Sequence, residues 1–133
     1  MPEPLTLRLT IADPVPGLHY WRQDAKNAPH DIRLATDGPL TFDMPVDLRP
    51  DGTLGGTFVR REGKIRRFVY IAIGGALADL PVVSRRAKID VHDIPAALLR
   101  PGAVIATTLP GRDRAGLPAC ATVRPLTPWT TIA

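Results

Sequence analysis

The sequence predicts an all-β domain, a mostly antiparallel β-sandwich or barrel with one short helix. Three observations lead there. Apolar and polar residues alternate with period two along Leu5–Ile11, Leu40–Leu48 and Ser84–Val91, as in strands with one buried face. Fifteen prolines and eleven glycines cut the chain into short pieces, which suits strands and turns better than long helices. Phe68 to Ile73 is an unbroken apolar run, β-branched and aromatic and too short for a helix. Together with Arg67 it reads as a central strand buried on both faces. No strand–long helix–strand alternation supports a parallel sheet. At 133 residues the chain is expected to be one domain, 1–133, large enough for a real core. Aromatics are only 5% of residues, so that core must rest on Val, Ile, Leu and Ala.

The elements follow in order. Leu5, Leu7, Leu9 and Ile11 form the buried side of a first strand, stopped by Asp13-Pro14-Val15-Pro16-Gly17, whose prolines cannot donate to a ladder. Leu18–Gln23 reads as a second strand, residues 24–31 as a polar loop, and Ile32–Ala35 as a short strand. Leu40–Leu48 is the cleanest half-buried strand; Pro45 places it at an edge or a bulge. Pro50-Asp51-Gly52-Thr53 is a turn. Thr57–Arg61 is expected to pair with Lys64 onward across a two-residue turn, Glu62-Gly63, setting Arg61 opposite Lys64 and Phe58 opposite Arg67. Gly74-Gly75 closes the central strand. In Ser84–Val91, Ala87, Ile89 and Val91 face inward. Asp93 is placed to cap a short helix over Ile94–Leu99, with Pro95 in its first turn. Ala103–Leu109 and Ala119–Val123 read as strands, and Pro128–Ala133 as a last edge strand.

Several landmarks occur in a recognisable order. They are Leu5-Thr6-Leu7-Arg8 running into Pro14-Val15-Pro16-Gly17, Phe68-Val69-Tyr70-Ile71 followed by glycine, Ser84-Arg85-Arg86-Ala87-Lys88-Ile89, and Gly116-Leu117-Pro118-Ala119-Cys120-Ala121-Thr122-Val123. On these the chain resembles a family of small bacterial proteins classed as a domain of unknown function. The resemblance implies a single compact β domain and brings no activity, cofactor or catalytic residue.

Common chemistries lack their parts. The longest apolar run falls far short of the roughly 18 residues of a membrane span. Met-Pro-Glu-Pro does not open a signal peptide, and one cysteine excludes an internal disulfide, so a cytoplasmic setting without membrane association is expected. No phosphate-loop, dinucleotide or nucleophile-elbow motif occurs, and no cofactor is expected. His19, His30 and His92 have no metal-ligand spacing, so no metal site is expected; Asp90-Val91-His92-Asp93 lacks a further ligand. Asp43 and Asp47 stand about 13 Å apart by strand rise, too far for a glycosidase carboxylate pair. Cys120, between alanines, reads as a buried, unreactive core residue. Tyr20, Trp21 and Trp129 read as packing aromatics rather than a stacking platform.

What remains is charge. Residues 60–88 hold eight basic and two acidic side chains, whereas residues 1–59 hold five and eight. Arg60, Arg61, Lys64, Arg66 and Arg67 gather at the hairpin tip, with Arg85, Arg86 and Lys88 as possible neighbours. This pattern fits a non-catalytic binding module presenting a basic hairpin to an anionic partner, either an acidic protein surface or nucleic acid. The alternative is a small enzyme with a site assembled from Cys120, His92 and Asp90. Oligomeric state is not readable from the sequence.

Overall fold

A computed structural model of the chain describes residues 3–77 and 80–132. Met1, Pro2 and Ala133, which enter the expectations for the two ends, and Asp79, which enters the charge count, lie outside the described residues. The fold is all-β, with two mixed sheets packed face to face.

The first sheet holds β1 (Glu3–Ile11), β4 (Leu40–Leu48), β5 (Leu54–Gly55), β9 (Val104–Leu109) and β11 (Thr130–Ile132), in the order β11-β9-β1-β4-β5. The second holds β2 (His19–Gln23), β3 (Pro29–Leu34), β7 (Arg66–Leu77), β8 (Leu80–Asp90) and β10 (Ala121–Thr122), in the order β10-β8-β7-β2-β3, with β6 (Arg60–Glu62) also paired to β7. All pairings are antiparallel except β1 with β9 and β10 with β8.

Period-two alternation explains the core. Leu5, Leu7, Leu9 and Ile11 of β1 meet Phe42, Met44 and Val46 of β4, Val69, Ile71 and Ile73 of β7, and Ala87 and Ile89 of β8 in one cluster. Each such Leu, Ile, Val, Phe or Met side chain, fully buried, contributes about 1.5–3 kcal/mol. The central strand is β7, flanked by β2 and β8, and its Phe68–Ile73 stretch is buried on both faces as its composition requires.

Pro45 sits where β4 has a strand on only one side, since β5 pairs only with Asp47 and Leu48. Along this open stretch the second sheet reaches across. Arg22 of β2 donates from Nη1 to the Asp43 carbonyl at 2.7 Å, and Arg33 of β3 donates to the Thr41 carbonyl. The two guanidinium groups lie over Phe58 and Phe42, 4.9 and 4.7 Å from the ring centroids. Side chains thus satisfy backbone acceptors that a further strand would otherwise take.

Five local expectations are corrected. The segment read as a loop over 24–31 already joins β3 at Pro29; Asp31, at φ +57, interrupts the alternation that would have revealed it. The strand does not close at Gly74-Gly75 but continues as β7 through a bulge after Ile73. Gly74 permits this, because a Cβ there would stand 2.0 Å from the Val82 carbonyl oxygen. The hairpin loop has three residues, Gly63, Lys64 and Ile65, so the register is Arg60–Phe68, Arg61–Arg67 and Glu62–Arg66. Gly63, at φ +64, takes the left-handed conformation that starts this longer turn. The helix over Ile94–Leu99 is replaced by two 3-10 turns, Val91–Asp93 and Ala96–Leu98, with extended Ile94 between them. Asp90, not Asp93, caps the first turn. Finally, the strand over Ala119–Val123 shrinks to β10, because Ala121, at φ +58, breaks the extended run.

Candidate anion-binding surface

The outward face of the second sheet is unusual in its layering. Alternation sends Val69, Ile71 and Ile73 into the core and turns Phe68, Tyr70 and Ala72 the other way, where Trp21 of neighbouring β2 lies opposite Ala72. These outward residues are nonetheless buried: Trp21 is 1% exposed, Tyr70 2% and Phe68 4%. Charged side chains cover them. Lys88 Nζ stands 4.6 Å from the Phe68 ring centroid, and the Arg60 guanidinium 5.7 Å from that of Tyr70. Both are cation–π distances, and the aliphatic stems pack on apolar surface while the charged heads stay wet.

Acceptors hold this roof in place. Glu62 accepts from the Tyr70 hydroxyl and pairs with Lys88 at 2.6 Å. Arg60 donates to Asn27 at 3.1 Å, and Arg86 makes longer contacts of 3.4 and 3.5 Å to Gln23 and Asn27. Lys88 and Tyr70 hold the Glu62 carboxyl below its ordinary value. Burial, and secondarily the Glu62 hydrogen bond, pushes Tyr70 up to about 12.

The remaining predicted residues divide by surroundings. Arg61 opposes Arg67 rather than Lys64, and it turns onto the hairpin loop, donating to the Gly63 and Lys64 carbonyls at 3.3 and 3.0 Å. Arg66 pairs with Asp90 at 3.1 Å. Arg85 lies 3.6 Å from the Cys120 sulfur. Lys64 and Arg67 make no side-chain hydrogen bond or ion pair among the described residues. Arg60, Arg86 and Lys88 therefore form one interlinked surface through Asn27, Tyr70 and Glu62, and Arg66 joins it beside Asp90; Arg61, Lys64 and Arg67 lie along the hairpin border, while Arg85, opposite Ile73, falls on the other face of the sheet.

Beside the hairpin, Arg66, Asp90, Asp93, Thr122, Arg124 and Pro125 line an open groove of about 500 Å³. Arg124 was not legible in the sequence. It arrives through the parallel pairing of β10 with Ala87 and Lys88, and no alternation or turn motif announces that pairing.

The residues of the alternative enzyme reading do not converge. Asp90 accepts from the His92 backbone N–H at 2.8 Å, so these two are neighbours. Cys120, however, lies against Arg85, five residues away on β8, or about 16 Å of strand rise. The expectation of a buried thiol is also corrected: Cys120 is exposed. The strand expected to bury it forms only over Ala121–Thr122, and Val123 takes the core position instead. Among the described residues no three His, Cys, Asp or Glu side chains are grouped to hold a metal ion, and no helix is long and apolar enough to cross a membrane.

Comparison with curated proteins and with solved structures gives no match. A family model does match, over residues 5–132, and on that extent the chain belongs to DUF5990, a family of unknown function.

Proposed function

We propose that this domain is a non-catalytic binding module that presents its second sheet, with the β6–β7 hairpin, to an anionic partner. The division of charge between the two sheets carries the reading. Strands of the second sheet hold nine basic side chains and three acidic ones (Asp31, Glu62 and Asp90), a balance of +6; two of the nine, Arg22 and Arg33, reach across to β4, which leaves +4 for the rest. Strands of the first hold Arg8 against Glu3, Asp43 and Asp47, a balance of −2. A domain so divided orients in the field of a negative surface before contact.

Internal acceptors pre-position Arg60, Arg66, Arg86 and Lys88, which lowers the ordering cost of binding. All seven Phe, Tyr and Trp side chains are buried, which leaves no aromatic platform for unpaired bases. This favours an acidic protein surface over single-stranded nucleic acid.

The test is fluorescence anisotropy with labelled poly-glutamate, single-stranded DNA and duplex DNA at low and physiological salt. Poly-glutamate should bind at low salt and weaken as salt rises. Replacing Lys64, Arg67 and Arg86 by alanine should weaken binding about tenfold, with the thermal melt unchanged. These three are chosen because their internal hydrogen bonds are absent or long. No binding to any polyanion at low salt refutes the proposal.

A further inference from the structure

Among the described residues Ile65 is the most exposed large hydrophobic, at 71%. It occupies the last position of the hairpin loop, between Lys64 and Arg66. The loop that carries it is tied down. Arg61 ties the Gly63 and Lys64 carbonyls, the His92 ring bonds the carbonyl of Ile65 itself, and Arg66 next in sequence is held by Asp90. Three hydrogen bonds, from Arg61 of β6 and from His92, hold the loop carbonyls, and the Arg66–Asp90 pair anchors the residue after the loop, so the apolar side chain is held outward rather than merely left there.

The surroundings of Ile65 narrow what it can meet. A hydrophobic tip bordered by Lys64, Arg61 and Arg67 is complementary to an apolar recess rimmed by carboxylates. On its other side Ile65 borders an open hollow of about 330 Å³ shared with Arg66, Asp90, His92 and Asp93.

We infer that Ile65 is the apolar anchor of the binding surface, and that the partner is an acidic protein segment with an apolar side chain or recess at its centre. This rests on the proposed reading of the basic sheet and adds the partner's apolar element. Central anchors ringed by charge are the usual energetic pattern of protein–protein contacts.

The probes are two acidic peptides of equal length and charge, one all glutamate apart from Gly spacers and the other with a central Leu. They are titrated into protein labelled at isoleucine methyl groups and followed by NMR. The Leu peptide should bind about tenfold more tightly, equivalent to about 1.4 kcal/mol, and should move the Ile65 methyl resonance. Ile65→Ser should remove that tenfold and leave the all-glutamate affinity unchanged. Lys64→Ala should weaken both. Equal affinities, or an Ile65→Ser variant that still prefers Leu, overturn the inference while leaving the anionic-partner reading intact. Failure of both peptides and of every polyanion overturns the underlying reading instead. Ile65-dependent binding to duplex DNA or phosphatidylglycerol vesicles without peptide binding, or Ile65-dependent self-association in light scattering, overturns the choice of an acidic protein partner.

Discussion

Tyr70→Phe removes one oxygen and tests the roof over the second sheet. The Tyr70 hydroxyl donates to Glu62, whose other oxygen is 2.6 Å from Lys88 Nζ. A hydrogen bond to a charged acceptor is worth about 1.5–3 kcal/mol. The Glu62 side chain is 38% exposed and can recover a water, so the loss at neutral pH should be about 1–2 kcal/mol. The pH dependence is more diagnostic. Tyr70 ionises near 10 in an unfolded chain and at about 12 in the folded one. Because the folded value is raised, the associated stability is fully present below about pH 10 and is lost as pH climbs toward 12. Two units correspond to about 2.7 kcal/mol. Phenylalanine has no such branch, so the wild-type advantage at pH 7 should shrink above pH 10 and reverse by pH 12. Urea unfolding followed by fluorescence of buried Trp21 and Trp129 at pH 7, 9, 10 and 11 measures it. A difference that stays constant from pH 7 to 11 would refute the reasoning.

Two further outcomes follow from packing and exposure. Gly74→Ala drives a Cβ to 2.0 Å from the Val82 carbonyl oxygen and should cost about 3 kcal/mol or more, a fall of about 10 °C in Tm, whereas Gly38→Ala meets nothing within 4 Å and should melt as wild type. Because Cys120 is exposed, a thiol reagent should label the native protein stoichiometrically at neutral pH; labelling that waits for denaturant would place the thiol in the core.

The parts legible in the sequence were those written in side-chain period. Leu40–Leu48 was read to the residue, and Pro45, expected at an edge or a bulge, sits at an open edge, because alternation and a missing N–H are local signals. The double-sided burial of Phe68–Ile73 followed from composition alone. Backbone conformation was less visible. Asp31 and Ala121 both adopt positive φ without being glycine, and each hid where a strand begins or ends. The hairpin register slipped because Glu62-Gly63 suits a two-residue turn by type, while the chain spends three residues on it. The candidate surface shows the same division. Its cations were countable, but their acceptors were not: Asn27, Gln23 and Asp90 come from segments that only the sheet order brings alongside.

The guanidinium groups on β4 have a consequence for how this molecule behaves among copies of itself. An uncovered strand edge is a template, and the next chain to arrive with a free edge can extend it. At Thr41 and Asp43 the template is already occupied, by arginines from the opposite layer. An incoming strand would have to displace two charged donors, each also resting on an aromatic ring, before gaining its first backbone bond there. Pro45, a little farther along, offers no N–H in exchange. The fold thus resists edge-to-edge polymerisation along β4 without a closed barrel, and a chain that lost Arg22 and Arg33 would expose a growth point as well as a weakened seam.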